Sequence, residues 1–193
     1  MANQELVLAI DVGTQSTRAL AFDADGKMLD KARVEYDPPY LSPEAGWAEQ
    51  DPEVYWDAVV GSCRALWENG EVSPDAIAAV SMTFQRGTVV DLDATGRPLR
   101  PAILWLDQRL AERPPRLPLR WAAAITAAGA RDVVAQLQAE AESNWIARNQ
   151  PDVWRKTAHH LLLSGYITYR MTGEYRDSVS CQVGYIPFDY KAH

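Results

Sequence analysis

LVLAIDVGTQSTR, residues 6–18, is the most informative stretch of the chain. Its first five residues are a continuous apolar run, which predicts a β-strand buried on both faces. The run ends at Asp11, and a short polar turn follows that contains Gly13 and three hydroxyl-bearing residues. Further strands over residues 18–23 and 28–36, joined by a tight turn over residues 24–27, predict a three-stranded antiparallel meander.

The turn after the first strand has the composition of a polyphosphate site. Gly13 allows backbone N–H groups to turn toward an anion, and Thr14, Ser16 and Thr17 add hydroxyl donors. Asp11 would repel phosphate directly, so we expect it to hold Mg²⁺ between its carboxylate and the phosphate oxygens. The alternative is a hairpin whose turn is merely polar. Because the spacing matches neither a P-loop nor a Gly-x-Gly-x-x-Gly turn, a phosphate-binding hairpin is favoured over a helix N-terminus.

Composition and charge narrow the class of protein. The chain has 193 residues, of which 47% are hydrophobic and 23% charged, as in ordinary globular domains. Its net charge is 19 − 26 = −7, which predicts no nucleic-acid partner. The sequence has no signal peptide and no apolar run of about 18 residues, which predicts a soluble, cytoplasmic protein with no membrane contact. Cys63 and Cys181 are expected to be buried, reduced thiols.

Beyond the meander, helices and strands alternate. A Pro-rich loop over residues 37–52 leads into a helix that Asp51 caps. Strands over residues 77–83 and 88–93 and an extended stretch over 98–105 follow. We then predict one helix from Asp132 to about residue 148, and another from Pro151 that includes residues 159 and 160. A final strand over residues 179–188 completes an α/β domain with a mixed sheet.

Four ordered motifs give the chain a family resemblance. They are AIDVGTQSTR (residues 9–18), GWAEQDP (46–52) with Trp56, IAAV through QRGT (77–88) with TGRP (95–98) and AILWLDQR (102–109), and residues 162–169 with MTGE (171–174) and Asp177. In this order and spacing they resemble the FGGY carbohydrate kinases, the family of glycerol kinase, xylulokinase, gluconokinase and ribulokinase. The first motif alone resembles the wider actin–Hsp70–hexokinase superfamily.

The resemblance implies a ribonuclease-H-like domain of the actin-like ATPase superfamily, with a mixed five-stranded sheet flanked by helices. It implies transfer of the ATP γ-phosphoryl group to a hydroxyl of a sugar or polyol, with ATP and Mg²⁺ as cofactors. The implied phosphate-binding residues are Asp11, which would also bind the metal, Gly13, Thr14, Ser16, Thr17 and Arg18. The implied sugar-binding residues are Gln85, Arg86, Asp107 and Arg109.

Two of these roles have alternatives, and one position departs from the family. Arg18 could instead be an exposed strand arginine, and Arg86 could form a structural ion pair with Asp107. Glycerol kinases carry a carboxylate where this chain has Gly87. That loss removes a hydroxyl contact and favours an acceptor bulkier than glycerol.

The family's general base is an Asp that we expect beyond residue 193, and the nucleotide-binding lobe is likewise absent. Residues 1–193 are therefore expected to be a truncated N-terminal kinase domain, inactive alone. Apolar surface meant for the missing lobe predicts dimerisation or poor solubility. One alternative is a non-catalytic sugar- or partner-binding module on the same fold. A ribonuclease-H-like nuclease is disfavoured, because it needs clustered carboxylates and a basic groove.

Overall fold

The computed structural model describes residues 5–112 and 116–182. Its strands are β1 (Leu6–Val12), β2 (Ser16–Phe22), β3 (Met28–Glu35), β4 (Glu49–Gln50), β5 (Ile77–Phe84), β6 (Val89–Leu92), β7 (Ala102–Ile103) and β8 (His159–Leu162). Its helices are α1 (Pro52–Glu68), α2 (Leu119–Ala127), α3 (Arg131–Glu140), α4 (Glu142–Asn149), α5 (Pro151–Lys156) and α6 (Leu163–Thr172). The strands form two four-stranded sheets, ordered β3-β2-β1-β5 and β4-β7-β6-β8.

The first sheet confirms the predicted meander. β1 pairs antiparallel with β2, β2 pairs antiparallel with β3, and β1 pairs parallel with β5. The sheet is therefore mixed, as predicted, and it has four strands instead of five within the described ranges. Parallel pairing brings the carboxyl ends of β1 and β5 to the same edge, which is where α/β sheets bind ligands.

Helix α1 covers one face of this sheet and confirms the predicted cap. The Asp51 side chain accepts a hydrogen bond from the Glu53 backbone N–H (2.9 Å), and Pro52 occupies the first turn. The helix ends at Glu68 with Asn69 as its C-cap, and Gly70 follows with φ of 80°. The buried face of α1 packs against alternate residues of β1 and β2. The main hydrophobic core therefore lies between α1 and one face of the sheet.

The segment after Pro151 differs from the predicted single helix. It consists of α5, then β8, then α6. His159 and His160 lie in β8, which pairs antiparallel with β6, and His160 faces Asp91 across the pair. The His160 Nδ1 lies 2.8 Å from the buried Asp91 Oδ1. Pairing with a strand about 70 residues away outweighs the local helical periodicity of this segment.

Three further boundaries differ from the sequence-based prediction. The helix predicted from Asp132 begins at Arg131 and is divided into α3 and α4, because Ala141 is extended. The extended stretch over residues 98–105 contains only the two-residue strand β7. In the predicted final strand, Val179–Gln182 form a 3₁₀ helix, and residues 183–188 lie outside the described part of the chain.

Within residues 5–112 and 116–182, no helix is both long enough and apolar enough to cross a membrane.

Candidate functional site

A cleft of about 510 Å³ opens at the carboxyl ends of β1 and β5. Three of its residues lie at the end of β1 or just after it, three lie at the end of β5 or just after it, and one comes from the loop after β7. The lining residues are Asp11, Gly13, Thr14, Phe84, Gln85, Arg86 and Trp105. The structure thus brings three of the six predicted phosphate-binding residues and two of the four predicted sugar-binding residues to one cleft.

Asp11 and Arg18 form an ion pair at the edge of this cleft. They face each other across the β1–β2 pair, and the Arg18 Nη1 lies 2.7 Å from the Asp11 Oδ2. Their side chains are 37% and 44% exposed, respectively. A solvent-exposed pair of this kind stabilises a fold by less than about 1 kcal/mol. Both groups can therefore exchange this contact for a ligand at small cost.

Gly13 makes the turn tight. Its backbone N–H donates to the Ser16 carbonyl oxygen (3.0 Å), and a Cβ at Gly13 would lie 3.2 Å from that oxygen. The next residue, Thr14, lines the cleft, and its hydroxyl oxygen accepts a hydrogen bond from the Trp105 indole N–H (3.0 Å). The turn is thus compact, and it presents a hydroxyl and backbone groups to the cleft.

Ser16 and Thr17 do not lie in the cleft, in contrast to the prediction. Ser16 is 3% exposed, and Thr17 is fully buried on the sheet face that packs against α1. The Thr17 Oγ1 hydrogen-bonds the Tyr36 hydroxyl (2.7 Å), and burial raises the pKa of Tyr36 to about 12. Side chains alternate between the faces of a strand, so Thr17 cannot share a face with Arg18. Thr17 is a core residue in this structure.

Gln85 and Arg86 follow β5 and both line the cleft. Both polar atoms of the Gln85 amide are buried, and neither has a hydrogen-bond partner among the described residues. The Tyr55 hydroxyl lies beside this amide, and burial raises the pKa of Tyr55. The Tyr55 hydroxyl is therefore a polar group with which the buried Gln85 amide can hydrogen-bond inside the protein.

Asp107 and Arg109, the other two predicted sugar-binding residues, pair with each other and not with Arg86 or the cleft. Arg109 donates to both Asp107 carboxylate oxygens (2.7 and 2.6 Å), and their side chains are only 2% and 3% exposed. The Ala48 backbone N–H also donates to Asp107 (2.7 Å). Both Asp107 oxygens and two of the three Arg109 guanidinium nitrogens thus form hydrogen bonds inside the protein.

This buried pair belongs to a larger cluster that sequence reasoning missed. Glu49 contacts both Arg100 and Arg109, the latter at 2.9 Å. The Arg109 guanidinium also lies over the rings of Trp47 (3.9 Å) and Trp145 (4.6 Å). The motif positions of Trp47 and Glu49 were visible in the sequence, but their contacts with residues 100–145 were not. We call Glu49, Arg100, Asp107 and Arg109 the buried ion cluster.

Trp105 and Phe84 are the two cleft residues to which sequence reasoning assigned no role, and Trp105 lies within a quoted motif. Its side chain is 54% exposed, and it reaches across the cleft to Thr14. A large exposed aromatic residue that lines a cleft is the signal that could have identified it. Within the described ranges, no group of three or more His, Cys, Asp or Glu side chains is arranged to hold a metal ion.

Sequence comparisons identify relatives over most of the chain. The family description that matches residues 6–183 is "FGGY family of carbohydrate kinases, N-terminal domain". A glycerol kinase of Thermococcus gammatolerans is 32% identical over 177 residues, which cover 89% of this chain and 35% of that protein. A glycerol kinase of Roseobacter denitrificans is 44% identical over 106 residues, which cover 54% of this chain and 21% of the relative.

Solved structures agree with this result. A Brucella ovis protein described as a xyloylose kinase superposes with a TM-score of 0.72 and 30% identity, over 89% of this chain and 35% of that one. A xylulose kinase of Rhodospirillum rubrum superposes with a TM-score of 0.75 over 97% of this chain and 39% of that one. Its identity is 23%, so it supports the fold alone. This likeness confirms the predicted ribonuclease-H-like, actin-like ATPase fold.

The chain spans about a third of the length of these relatives. The match over residues 6–183, the ordered motifs and the shared fold give one conclusion. This chain belongs to the FGGY family of carbohydrate kinases and carries that family's N-terminal domain.

Proposed function

We propose that this chain is the N-terminal, phosphate- and acceptor-binding part of an ATP-dependent kinase that phosphorylates a hydroxyl of a sugar or polyol. The observation that carries the proposal is the shared cleft, in which Asp11, Gly13 and Thr14 face Gln85 and Arg86. Phosphoryl transfer needs the phosphate and the attacking hydroxyl to be held side by side. The segment after β1 carries groups suited to a phosphate, the segment after β5 carries groups suited to a hydroxyl, and both line this cleft.

The phosphate side of the cleft fits a magnesium–phosphate group. Mg²⁺ in nucleotide sites keeps several waters and is bound through one or two carboxylates plus the phosphates. Asp11 supplies one accessible carboxylate, and Arg18 supplies a cation beside it. Bound there, Mg²⁺ would neutralise charge on the phosphate oxygens. Gly13 and Thr14 would donate to those oxygens, and Arg18 would turn from Asp11 toward the phosphate.

The acceptor side offers the groups that recognise a polyol. Gln85 carries both a donor and an acceptor group, Arg86 carries donors only, and both residues line the cleft. A sugar hydroxyl both donates and accepts, so this pair suits it. Gly87 adds no side chain beside them. We therefore propose an acceptor larger than glycerol, although the relatives named above include glycerol kinases.

The two halves of the cleft can be tested separately by titrating the ¹⁵N-labelled chain. We expect magnesium pyrophosphate to shift the amide signals of residues 11–18. We expect an acceptor from a panel of glycerol, xylulose and gluconate to shift those of residues 84–86 and the Trp105 indole. Asp11→Asn should abolish the magnesium dependence of the first response, whereas Asp57→Asn, at an exposed position of α1, should leave it unchanged. A chain that responds to neither class of ligand would contradict the proposal.

Turnover is a separate question, and the general base remains a prediction beyond residue 193. We expect no ATP-dependent phosphorylation of polyols or ketoses by this chain alone. Measured turnover at ordinary kinase rates, on the order of 1–100 s⁻¹, would contradict that expectation. Acceptor binding by this polypeptide without turnover, even when the remaining part of a kinase is supplied, would favour the non-catalytic binding module instead.

A cytoplasmic location, the lack of a nucleic-acid partner and self-association also stay predictions. Apolar side chains on β5 and α2 support self-association, since Val80 is 48% and Leu119 87% exposed. Light scattering tests this expectation directly. A stable, monodisperse monomer would contradict it.

A further inference from the structure

Trp105 makes a hydrogen bond that limits where a neighbouring hydroxyl can point. Its indole N–H donates to the Thr14 Oγ1 at 3.0 Å, and an indole N–H can only donate. The Thr14 oxygen is therefore the acceptor, and its own proton must point away from the indole. No acceptor for that proton is recorded in the part of the chain that the structure describes. Thr14 lines the cleft, so the hydroxyl is available there as a donor.

The loop that carries Trp105 is held firmly at its base. We call residues 104–109 the tryptophan loop. The Leu104 N–H donates to the Ala48 carbonyl (3.0 Å), and the Gln108 N–H donates to the Gly46 carbonyl (2.8 Å). Asp107 accepts from Ala48 and is paired with Arg109 in the buried ion cluster. Half of the Trp105 side chain is exposed, yet its backbone is fixed from both sides.

These contacts connect the buried ion cluster to the phosphate turn in three steps. The cluster fixes the tryptophan loop, the loop places the indole, and the indole directs the hydroxyl of Thr14. A donor that is already oriented toward an anion loses little freedom when it binds, so such preorganised donors contribute more to affinity than free ones.

We propose that Trp105 is a positioning residue that directs the Thr14 hydroxyl as a hydrogen-bond donor toward the phosphate group in the cleft. This inference rests on the proposed function, since it assumes that an anion binds at the turn. It gives Asp107 and Arg109 an indirect part in the site, through the placement of the loop. It requires no contact of Trp105 with the phosphate.

The hydrogen bond itself can be tested without any ligand. Trp105 should show an indole N–H that exchanges more slowly with solvent than that of Trp121, which is equally exposed (54%) and lies in α2. Thr14→Ala should abolish this protection, and Thr14→Ser, which keeps the hydroxyl, should retain it. An indole that exchanges at the same rate in wild type and Thr14→Ala would overturn the inference.

The effect on binding is measured with magnesium pyrophosphate as the probe, in the wild-type chain and four variants. Trp105→Phe keeps an aromatic ring but lacks the donor, so it leaves the Thr14 hydroxyl in place without its orientation. We expect Thr14→Ala to weaken binding roughly tenfold, the size of one charge-assisted hydrogen bond, and Trp105→Phe to weaken it measurably but less. The double variant should be no weaker than Thr14→Ala, because Trp105 acts only through the hydroxyl that Thr14→Ala removes. Trp121→Phe is the matched control and should bind as wild type.

Three outcomes distinguish the inference from the proposed function. Full affinity in Trp105→Phe with loss in Thr14→Ala would overturn the positioning role and leave the phosphate site intact. Additive losses in the double variant would also overturn it. A wild-type chain that binds no pyrophosphate would overturn both. Unchanged thermal unfolding of Trp105→Phe shows that a loss of affinity does not reflect a loss of folding.

Discussion

Two Asp–Arg pairs of nearly equal length have opposite surroundings in this molecule. Asp11 and Arg18 lie 2.7 Å apart at the cleft edge with 37% and 44% of their side chains exposed. Asp107 and Arg109 lie 2.6 Å apart with 3% and 2% exposed. The first pair is hydrated and can change partners, whereas the second has lost its water and depends on its protein contacts. Distance alone therefore does not tell a binding pair from a structural pair.

The largest expected difference between the two pairs is in stability. Asp107→Ala removes the acceptor of Ala48 and one partner of a buried arginine, so we expect the free energy of unfolding to fall by about 3–5 kcal/mol. Asp11→Ala should cost less than about 1 kcal/mol, because water replaces the lost partner. Urea denaturation of both variants measures the two values. Equal losses would show that the burial difference has no energetic consequence.

A second comparison uses two glycines, one in the turn after β1 and one in the turn after β6, which contacts Tyr169 of α6. Gly96 has φ of +81°, and a Cβ there would lie 1.9 Å from the Tyr169 hydroxyl oxygen. Gly96→Ala should therefore lower the free energy of unfolding by about 2–3 kcal/mol, from the left-handed backbone and the displaced ring.

Gly13→Ala should cost less, about 1 kcal/mol, because its Cβ would be only moderately close to the Ser16 carbonyl at 3.2 Å. We expect this variant to lose affinity for magnesium pyrophosphate, and Gly96→Ala to keep it while folded. Thermal unfolding and the pyrophosphate titration together measure both effects. A Gly13→Ala variant with wild-type affinity would contradict the role of the turn.

The smallest expected effect on stability comes from the carboxyl group of Glu142, near the buried ion cluster. Burial raises the pKa of the Glu142 carboxyl above its usual value, although His160 and Arg109 oppose this. The folded state therefore holds the Glu142 proton more tightly, and ionisation of Glu142 reduces stability as the pH rises above about 4.5.

Glu142→Gln should therefore stabilise the chain at pH 7, by no more than about 1 kcal/mol. The gain should disappear as the pH falls below 4.5, where wild-type Glu142 is protonated in both states. Urea denaturation at pH 7 and pH 4 measures this difference. A gain in the free energy of unfolding that is the same at both pH values would contradict the raised pKa of Glu142.

Local sequence patterns were sufficient for the meander, the α1 cap and the position of the tight turn after β1. These features depend on neighbours in the chain: an apolar run before Asp11, a tight turn, and a capping residue followed by proline. The family resemblance also identified the fold, because its motifs are ordered along the whole chain. Alternation along β2 could have separated Thr17 from Arg18 without any structure.

Contacts between segments distant in the sequence determined the features that local patterns did not predict. His159 and His160 form a strand because β6 pairs with them, about 70 residues away. Asp107 and Arg109 are buried because Glu49 and two tryptophans from distant segments enclose them. A motif indicates that a charged residue is present, but its desolvation depends on what packs around it. For that reason the turn after β1 could be predicted from the sequence, whereas the burial of Asp107 and Arg109 could not.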